Sequence, residues 1–232
     1  AITYYSNGSI SYKIYGGKES SLEMRILIGC EYSQIVTMAF RLKGHEAFSC
    51  DILPCEGGHP EWHLQCDVLS IINDKWDIGI FHPPCTYLSY VGSRHWNKPG
   101  RKEKREEAMK FFMELINAPI EKICVENPLG EPCKAYRKPD QIIHPYYFGD
   151  EYMKRTCLWL KNLPPLEYRL TDELFGKKTA TEKPKPLYYL ATNGKAIHFT
   201  EGIKGLSAKE RQKVRSKFWD GIAKAMASQW GA

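Results

Sequence analysis

A cysteine and a glutamate each follow a short apolar segment of the chain. Cys85 closes the run His82-Pro83-Pro84-Cys85 after the apolar segment 76–81, and Glu126 directly follows the apolar segment 120–125. In an open α/β sheet, ligands collect at the carboxyl ends of the strands, so both side chains are expected at one edge. A thiol and a carboxyl group over one substrate indicate nucleophilic catalysis assisted by an acid.

A nucleophilic role requires Cys85 to be exposed and ionisable. The two prolines before it and the polar loop after it predict exposure, although most free cysteines are small buried hydrophobic residues. An unperturbed thiol ionises near pH ~8.5, so nearby cations or helix dipoles must assist it. Arg94 and Arg155 are the candidate cations in the sequence.

Apolar runs alternate with helical patterns along the chain. Strands are predicted over 24–29, 46–50, 76–81, 120–126 and 154–160, with a turn or short strand at 64–69. Helices are predicted over 33–44, 101–117 and about 207–230, the last with a break near 218–221. The N-terminus is predicted to be a flexible extension or a hairpin around Asn7-Gly8. This alternation predicts a largely parallel sheet with helices on both faces.

The net charge of +6 is unevenly distributed. Residues 161–217 contain 13 Lys and Arg against 6 Asp and Glu, which accounts for all the excess positive charge. This distribution favours a polyanionic partner, and a solvated Lys-rich loop is the alternative. No apolar run is long enough to span a bilayer, and no secretory signal pattern begins the sequence. The eight cysteines are therefore expected to be reduced thiols in a cytoplasmic protein.

Two motifs carry a family resemblance. Pro84-Cys85-x-x-Leu88-Ser89-x-x-Gly92 resembles the nucleophile segment Pro-Cys-Gln-x-Phe-Ser-x-x-Gly of the S-adenosylmethionine-dependent DNA cytosine 5-methyltransferases. Glu126-Asn127-Pro128 is similar to the Glu-Asn-Val of that family. The likeness covers about residues 24–232 and is nearest to the short phage and prophage versions. It implies a Rossmann-like class I methyltransferase fold, a mostly parallel mixed α/β sheet with helices on both faces.

The resemblance also implies an activity, the transfer of a methyl group from S-adenosylmethionine to carbon 5 of cytosine in DNA. Cys85 would add to carbon 6 of the ring, Glu126 would assist at ring N3, and Asn127 would position the loop. Arg155 loosely matches the family arginine that supports the flipped cytosine. The implied organisation is an N-terminal extension over 1–21 and one catalytic domain over 22–232, with a small basic insertion at about 161–213.

The cofactor residues implied by the resemblance surround the first strand-to-helix turn. Family members carry several glycines in this turn, whereas this chain has Gly29 alone and Gln34 where related short sequences often have glycine. Asp51 would hold the ribose and Asp67 the adenine amino group, and a helix cap or turn is the alternative role for each. The expected S-adenosylmethionine contacts are Gly29, Cys30, Glu31, Tyr32, Ser33, Asp51, Ile52, Asp67, Val68 and Pro83.

The implied partner is duplex DNA with a flipped cytosine, because a stacked base is out of reach of Cys85. The expected DNA contacts are Ser89, Arg94, Trp96, Lys177 and Lys178. Two other functions stay open, namely methylation of a free nucleotide such as dCMP and a non-catalytic DNA-binding role. No membrane partner is expected, and the oligomeric state stays open. A structural zinc site is a minor alternative. Five side chains of types that bind zinc lie in one short stretch, but their spacings fit no common zinc module: Cys50, Cys55, His59, His63 and Cys66.

Overall fold

A computed structural model of the chain describes residues 2–4, 10–12, 23–168, 182–186, 188–189, 194, 196–197, 207 and 218–232. Near the N-terminus, β1 (Ile2–Tyr4) and β2 (Ile10–Tyr12) pair antiparallel, as the expected hairpin. The central strands are β3 (Arg25–Gly29), β4 (Glu46–Asp51), β5 (His63–Gln65), β6 (Ile78–Phe81), β7 (Lys122–Asn127), β8 (Gln141–Ile143) and β9 (Thr156–Lys161). A separate antiparallel pair is formed by β10 (Tyr188–Tyr189) and β11 (Ala196–Ile197).

The seven central strands form one mixed sheet in the order β5-β4-β3-β6-β7-β9-β8. The pairs from β5 to β7 are all parallel, whereas β9 runs antiparallel to both of its neighbours. The chain builds outward from β3 to β5 and then returns to place β6 on the other side of β3. Ligands bind at such a reversal of strand order, so the carboxyl ends of β3 and β6 flank the expected crevice.

Helices cover both faces of the sheet. The helices are α1 (Ile35–Arg41), α2 (Arg101–Ile116), α3 (Pro132–Ala135) and α4 (Asp220–Trp230). Helices α1 and α4 share one core with the sheet, and α2 packs into the core on the opposite face. These layers confirm the expected Rossmann-like, mostly parallel mixed sheet with helices on both faces.

Helix α2 follows from its apolar spacing. Phe112, Leu115 and Ile116 recur at helical intervals and are buried. Phe112 packs edge-on against Trp159 of β9, with ring centroids 5.1 Å apart. Fully burying a side chain of the size of Phe112 stabilises a fold by about 1.5–3 kcal/mol, which fixes α2 and the loop before it.

Two features differ from the sequence prediction. The strand β8 and the short helix α3 were not predicted, because three or four residues carry too little periodicity. The last helix was predicted from about residue 207, but Ser207 is not helical and α4 begins at Asp220; residues 208–217 lie outside the described part. Most of the predicted basic insertion lies outside the described part as well.

In the described ranges, every helix is too short or too polar to cross a bilayer.

Candidate active site

The loop after β6 is joined to the loop after β7 by backbone hydrogen bonds. Ser89 and Gly130 form an antiparallel bridge, in which the Glu131 amide donates to the Leu88 carbonyl at 2.7 Å. Gly130 is required there, because a Cβ at this position would lie 2.0 Å from the Leu88 oxygen. This glycine was not among the predicted site residues, although it follows Glu126 closely in the chain.

Asn127 makes a second connection between the two segments. Its Nδ2 donates to the Pro83 carbonyl at 2.8 Å, and both residues are buried. This is the contact that a loop-positioning role requires. Because Pro83 lies two residues before Cys85, the end of β7 directly supports the backbone that carries the thiol.

Cys85 lies on the exposed side of this loop. It is the one exposed residue among the eight cysteines, all of which lie in the described part of the chain. Its carbonyl accepts hydrogen bonds from the amides of Leu88 at 3.1 Å and Ser89 at 2.9 Å, which close a tight turn. The turn presents the thiol at the carboxyl edge of the sheet, where a substrate can reach it.

Glu126 is buried beside this loop, with 7% of its surface exposed. His82 Nδ1 lies 3.4 Å from Glu126 Oε2, while Oε1 is buried and has no hydrogen-bond partner in the part of the chain described here. Burial would raise the pKa of Glu126, but the hydrogen bond from His82 and the charges of Lys154 and His82 outweigh it and lower that pKa. Glu126 is therefore a carboxylate at neutral pH. His82 was not among the predicted site residues, although its place before Pro83 was visible in the motif.

The register of β9 decides which residues reach Glu126. Glu126 pairs with Leu158, and paired residues project to the same face, so Thr156 shares the face of Glu126. Arg155 is exposed instead, and its charge acts on Cys157, which pairs with Asn127. The structure does not bring Arg155 to Glu126; Lys154 supplies the nearby positive charge.

Several buried polar atoms at this edge have no hydrogen-bond partner among the described residues. Leaving one such atom unpaired costs about 1–3 kcal/mol, so a group of them at one edge indicates a polar ligand that would pair with them. These atoms are His82 Nε2, Glu126 Oε1, Asn127 Oδ1 and Thr156 Oγ1.

The turn after β3 keeps left-handed backbone without the usual glycines. Cys30 has φ 60° and Gln34 has φ 59°, in a region that favours glycine. Buried Gln34 is held there by its own side chain, which donates to the His59 carbonyl at 2.8 Å and accepts from the His59 amide at 3.0 Å. Gly29 itself is crowded, since a Cβ would lie 2.6 Å from Phe81.

Glu31 caps helix α1. Its buried carboxylate accepts from the amides of Val36 at 2.7 Å and Thr37 at 3.2 Å and from the Thr37 hydroxyl at 2.7 Å. Three donors hold this carboxylate, so it orders the start of α1 and the turn whose backbone was predicted to contact the cofactor.

Asp51 and Asp67 lie together near the turn. Both carboxylates act on the Cys30 thiol, whose pKa is raised chiefly by burial and further by Asp51, Cys50 and Asp67. Asp51 Oδ1 accepts from the Leu53 amide at 2.9 Å and Asp67 Oδ1 from the Leu69 amide at 3.0 Å. Asp51 therefore stabilises a local turn, and Asp67 caps a short helix. The second oxygen of each carboxylate has no hydrogen-bond partner within the described ranges. These oxygens fit a ligand with hydroxyl or amino donors.

The other predicted cofactor residues differ in how far they are exposed. Ile52 is 72% exposed beside Asp51, which leaves its apolar surface available to a flat ring. Val68 and Pro83 are buried, and Tyr32 and Ser33 are half-buried in the turn.

The predicted DNA contacts separate into two groups. Ser89 is buried, and its Oγ accepts from the Val91 amide at 3.3 Å, so it caps the 3-10 helix Tyr90–His95 and is not available for DNA. Arg94 is exposed and Trp96 is half-buried on the same loop. Lys177 and Lys178 lie outside the described residues.

Aromatic and basic side chains alternate on the surface beyond Cys85. Arg101 lies over the Tyr87 ring at 4.7 Å, and Lys104 lies over the same ring at 5.7 Å. Arg105 lies over the Trp96 ring at 4.7 Å. Such pairs provide both stacking surfaces and phosphate-binding charge, as in single-strand binding grooves.

The cysteines and histidines of the minor zinc alternative have other partners. Cys55 donates to Gln34 at 3.1 Å, His63 lies 2.9 Å from Ser49, and the sulfur atoms of Cys50 and Cys66 are 3.8 Å apart. Over the described ranges, no group of three or more His, Cys, Asp or Glu side chains is arranged to hold a metal ion.

Comparisons with known proteins give only distant structural similarity. No protein-family model matches the sequence, and no curated protein matches it significantly. An rRNA methylase from Escherichia coli is 12% identical, with a TM-score of 0.34, over 61% of this chain and 58% of that one. A SAM-dependent methyltransferase from Neisseria gonorrhoeae is 13% identical, with a TM-score of 0.31, over 62% and 65%. This chain thus spans less than two thirds of either neighbour, and the fold assignment rests on the strand order itself.

Proposed function

We propose that the protein transfers a methyl group from S-adenosylmethionine to carbon 5 of cytosine in DNA. One observation carries the proposal. The exposed thiol of Cys85 stands on a loop that is hydrogen-bonded to the end of β7, where Glu126 has one carboxylate oxygen without a partner among the described residues. A nucleophile and an acid–base group that are held in a fixed relative position are suited to addition to an electron-poor ring.

Cys85 and Glu126 act on different atoms of the cytosine ring. The sulfur of Cys85 forms a bond to carbon 6, and the electron pair of the 5,6 double bond moves to form a double bond between carbons 4 and 5. The electron pair of the former carbon 4–N3 double bond then takes up a proton at N3, which Glu126 Oε1 shares. Carbon 5 thereby becomes an enamine carbon, nucleophilic towards the methyl group that S-adenosylmethionine supplies. A base then removes the carbon 5 proton, the electron pair of that C–H bond restores the 5,6 double bond, and the bond between carbon 6 and sulfur breaks to release the Cys85 thiolate. Loss of the N3 proton completes the turnover.

The low pKa of Glu126 sets the proton balance of this step. Because Glu126 is ionised in the unliganded protein, addition requires uptake of one proton, shared between Oε1 and N3. The negative carboxylate stabilises the positive charge that the protonated ring carries before the thiolate adds and again once carbon 5 is methylated. In a buried setting such pairs are stronger than in water.

The crevice between β3 and β6 fits the cofactor. Asp51 and Asp67 each offer an unengaged oxygen to hydroxyl or amino donors, and Ile52 offers exposed apolar surface beside them. Cys30 and Gln34 maintain the left-handed turn that brings backbone close to the ligand. The order of the strands brings this crevice next to the Cys85 loop.

A nucleic acid is the substrate class favoured by the surface around Cys85. Tyr87 and Trp96, each under a cationic side chain, follow Cys85 on the same loop. One nucleotide carries too little phosphate to need Arg101, Lys104 and Arg105 together with the basic segment 161–217.

The test is transfer of labelled methyl from S-adenosylmethionine to unmodified duplex DNA, with dCMP in parallel. Cys85→Ala removes the nucleophile, and Cys55→Ser is the control, since it also removes a half-buried thiol but keeps a donor for Gln34 Oε1. Label in DNA that disappears only with Cys85→Ala supports the proposal. Label in dCMP alone assigns the enzyme to free nucleotides, and no label in either, with a folded protein and measurable DNA binding, supports the binding-only alternative.

A further inference from the structure

His82 and Glu126 form a nearly buried pair at the end of the neighbouring strands β6 and β7. Their side chains are only 12% and 10% exposed, and His82 Nδ1 lies 3.4 Å from Glu126 Oε2. The two carboxylate oxygens therefore have different surroundings. Oε2 faces the imidazole, and Oε1 is the oxygen without a partner in the described part of the chain.

The imidazole is held from two sides. The His82 amide donates to the Gly29 carbonyl at 3.0 Å, which fixes the backbone between β6 and β3. The ring packs against Phe218, with centroids 4.5 Å apart, just before α4. A ring fixed in this way holds its partner carboxylate in one orientation, which is how supporting residues keep reacting groups in place.

We propose that His82 is a positioning residue, whose Nδ1–H holds Glu126 Oε2 so that Oε1 is directed at the ring nitrogen of the substrate base. The inference rests on the proposed function. When Oε1 passes to N3 the proton that is taken up during addition, the O–H bond breaks, an N–H bond forms, and the electron pair stays on the carboxylate. The Nδ1–H donor is already aligned to stabilise that charge and needs no reorganisation.

Few other groups compete with His82 for Glu126. Lys154, before β9, is the other positive charge that acts on the carboxylate. The thiols nearest in the sheet are Cys124 on β7 and Cys157 on β9, and burial raises the pKa of both, so they stay neutral. A change of the Glu126 pKa after substitution of His82 therefore reports on this pair.

Two substitutions at His82 separate positioning from simple packing. His82→Leu fills similar space without a donor, whereas His82→Asn keeps an N–H donor near the position of Nδ1. His59→Asn is the matched control, because the His59 side chain pairs with exposed Glu61 at 3.0 Å and the substitution keeps the backbone groups that hold Gln34. Each full-length variant is measured for kcat and KM on duplex DNA. The Glu126 carboxyl is titrated by 13C NMR, with Glu126→Gln used to assign its signal.

His82→Leu is expected to raise the pKa of Glu126 and to lower kcat by about ten- to hundred-fold, with KM for DNA unchanged. His82→Asn is expected to recover most of that loss, and His59→Asn to behave as the wild type. Equal losses in the Leu and Asn variants, or an unchanged Glu126 titration in His82→Leu, overturn the role of His82. Absence of methyl transfer by the wild-type protein refutes the proposed function instead, and the carboxyl titration still tests the pairing independently.

Discussion

Replacing Gly130 by alanine is expected to misplace Cys85 while leaving the fold intact. The new Cβ would lie 2.0 Å from the Leu88 oxygen and 2.7 Å from the Leu88 carbonyl carbon, whereas real Cβ contacts start at about 3.0 Å. Because both neighbours are backbone atoms, no side chain can rotate away. The loop that carries Cys85 must therefore move by roughly 1 Å relative to Glu126, and the 2.7 Å hydrogen bond from Glu131 to Leu88 is lost with it.

A displacement of about 1 Å between reacting groups costs about a hundred-fold in rate. Gly130→Ala is therefore expected to lower the single-turnover rate of methyl transfer to DNA by about that factor. The loss of stability should stay within the range of about 0.5–3 kcal/mol that is usual for one substitution, because the sheet core is not involved. Circular dichroism and a denaturant titration check the fold.

Gly92→Ala is the matched control on the same loop. A Cβ at Gly92 would lie 3.5 Å from the Thr86 oxygen, an ordinary contact, so this variant should keep the wild-type rate. Alkylation of the exposed Cys85 thiol gives a second readout of the loop that does not depend on methyl transfer. A folded Gly130→Ala variant with the wild-type rate, or an equal loss in Gly92→Ala, would refute the reasoning.

Four further outcomes are expected. Asn127→Ala removes the 2.8 Å hydrogen bond to the Cys85 loop and should lower kcat about ten-fold in steady-state assays; an unchanged kcat contradicts its positioning role. The folded-state pKa of Glu126 lies below its unfolded value, so its ionised form stabilises the fold above the unfolded pKa, and this contribution is lost as pH falls through the folded pKa. Melting temperatures measured against pH should therefore fall less steeply on the acid side for Glu126→Gln than for the wild type. Both Gln34→Ala and Gln34→Gly lose the side-chain hydrogen bonds, but glycine tolerates φ 59°, so the Gly variant should be about 1 kcal/mol more stable in urea unfolding; the reverse order contradicts the strain argument. Arg105→Ala should weaken DNA binding and reduce the slope of log K against log salt concentration by about one, and an unchanged slope would exclude Arg105 from phosphate contact.

The order of elements was accessible from the sequence because the central strands β3, β6 and β7 are buried on both sides. Continuous apolar runs predicted β3, β4, β6 and β7 to within two residues at each end. The amphipathic pattern predicted α2 over 101–117, and the helix spans Arg101–Ile116. Proximity of the Cys85 and Glu126 segments follows from the same reasoning, since the ends of adjacent parallel strands share one edge of the sheet.

Residue roles within the site depended on contacts between distant segments. Glu31 was expected in the cofactor turn from its position, and only the structure shows that its carboxylate caps α1, because three donors of that helix converge on it. Ser89 was expected at DNA, but the bridge to Gly130 buries it. Local sequence cannot reveal such partners, because they come from a helix start and from a second loop that only the fold brings close.

By itself, the sequence determined the Rossmann-like layers and the position of the Cys85 and Glu126 segments after two neighbouring strands, since burial patterns and strand ends are local properties. Tertiary structure alone decided that β9 enters antiparallel between β7 and β8. That register places Thr156, not Arg155, on the face of Glu126, because side chains alternate along a strand and a shift of one residue reverses every face. The close approach of His82 to Glu126 was decided in the same way, by the alignment of β6 with β7.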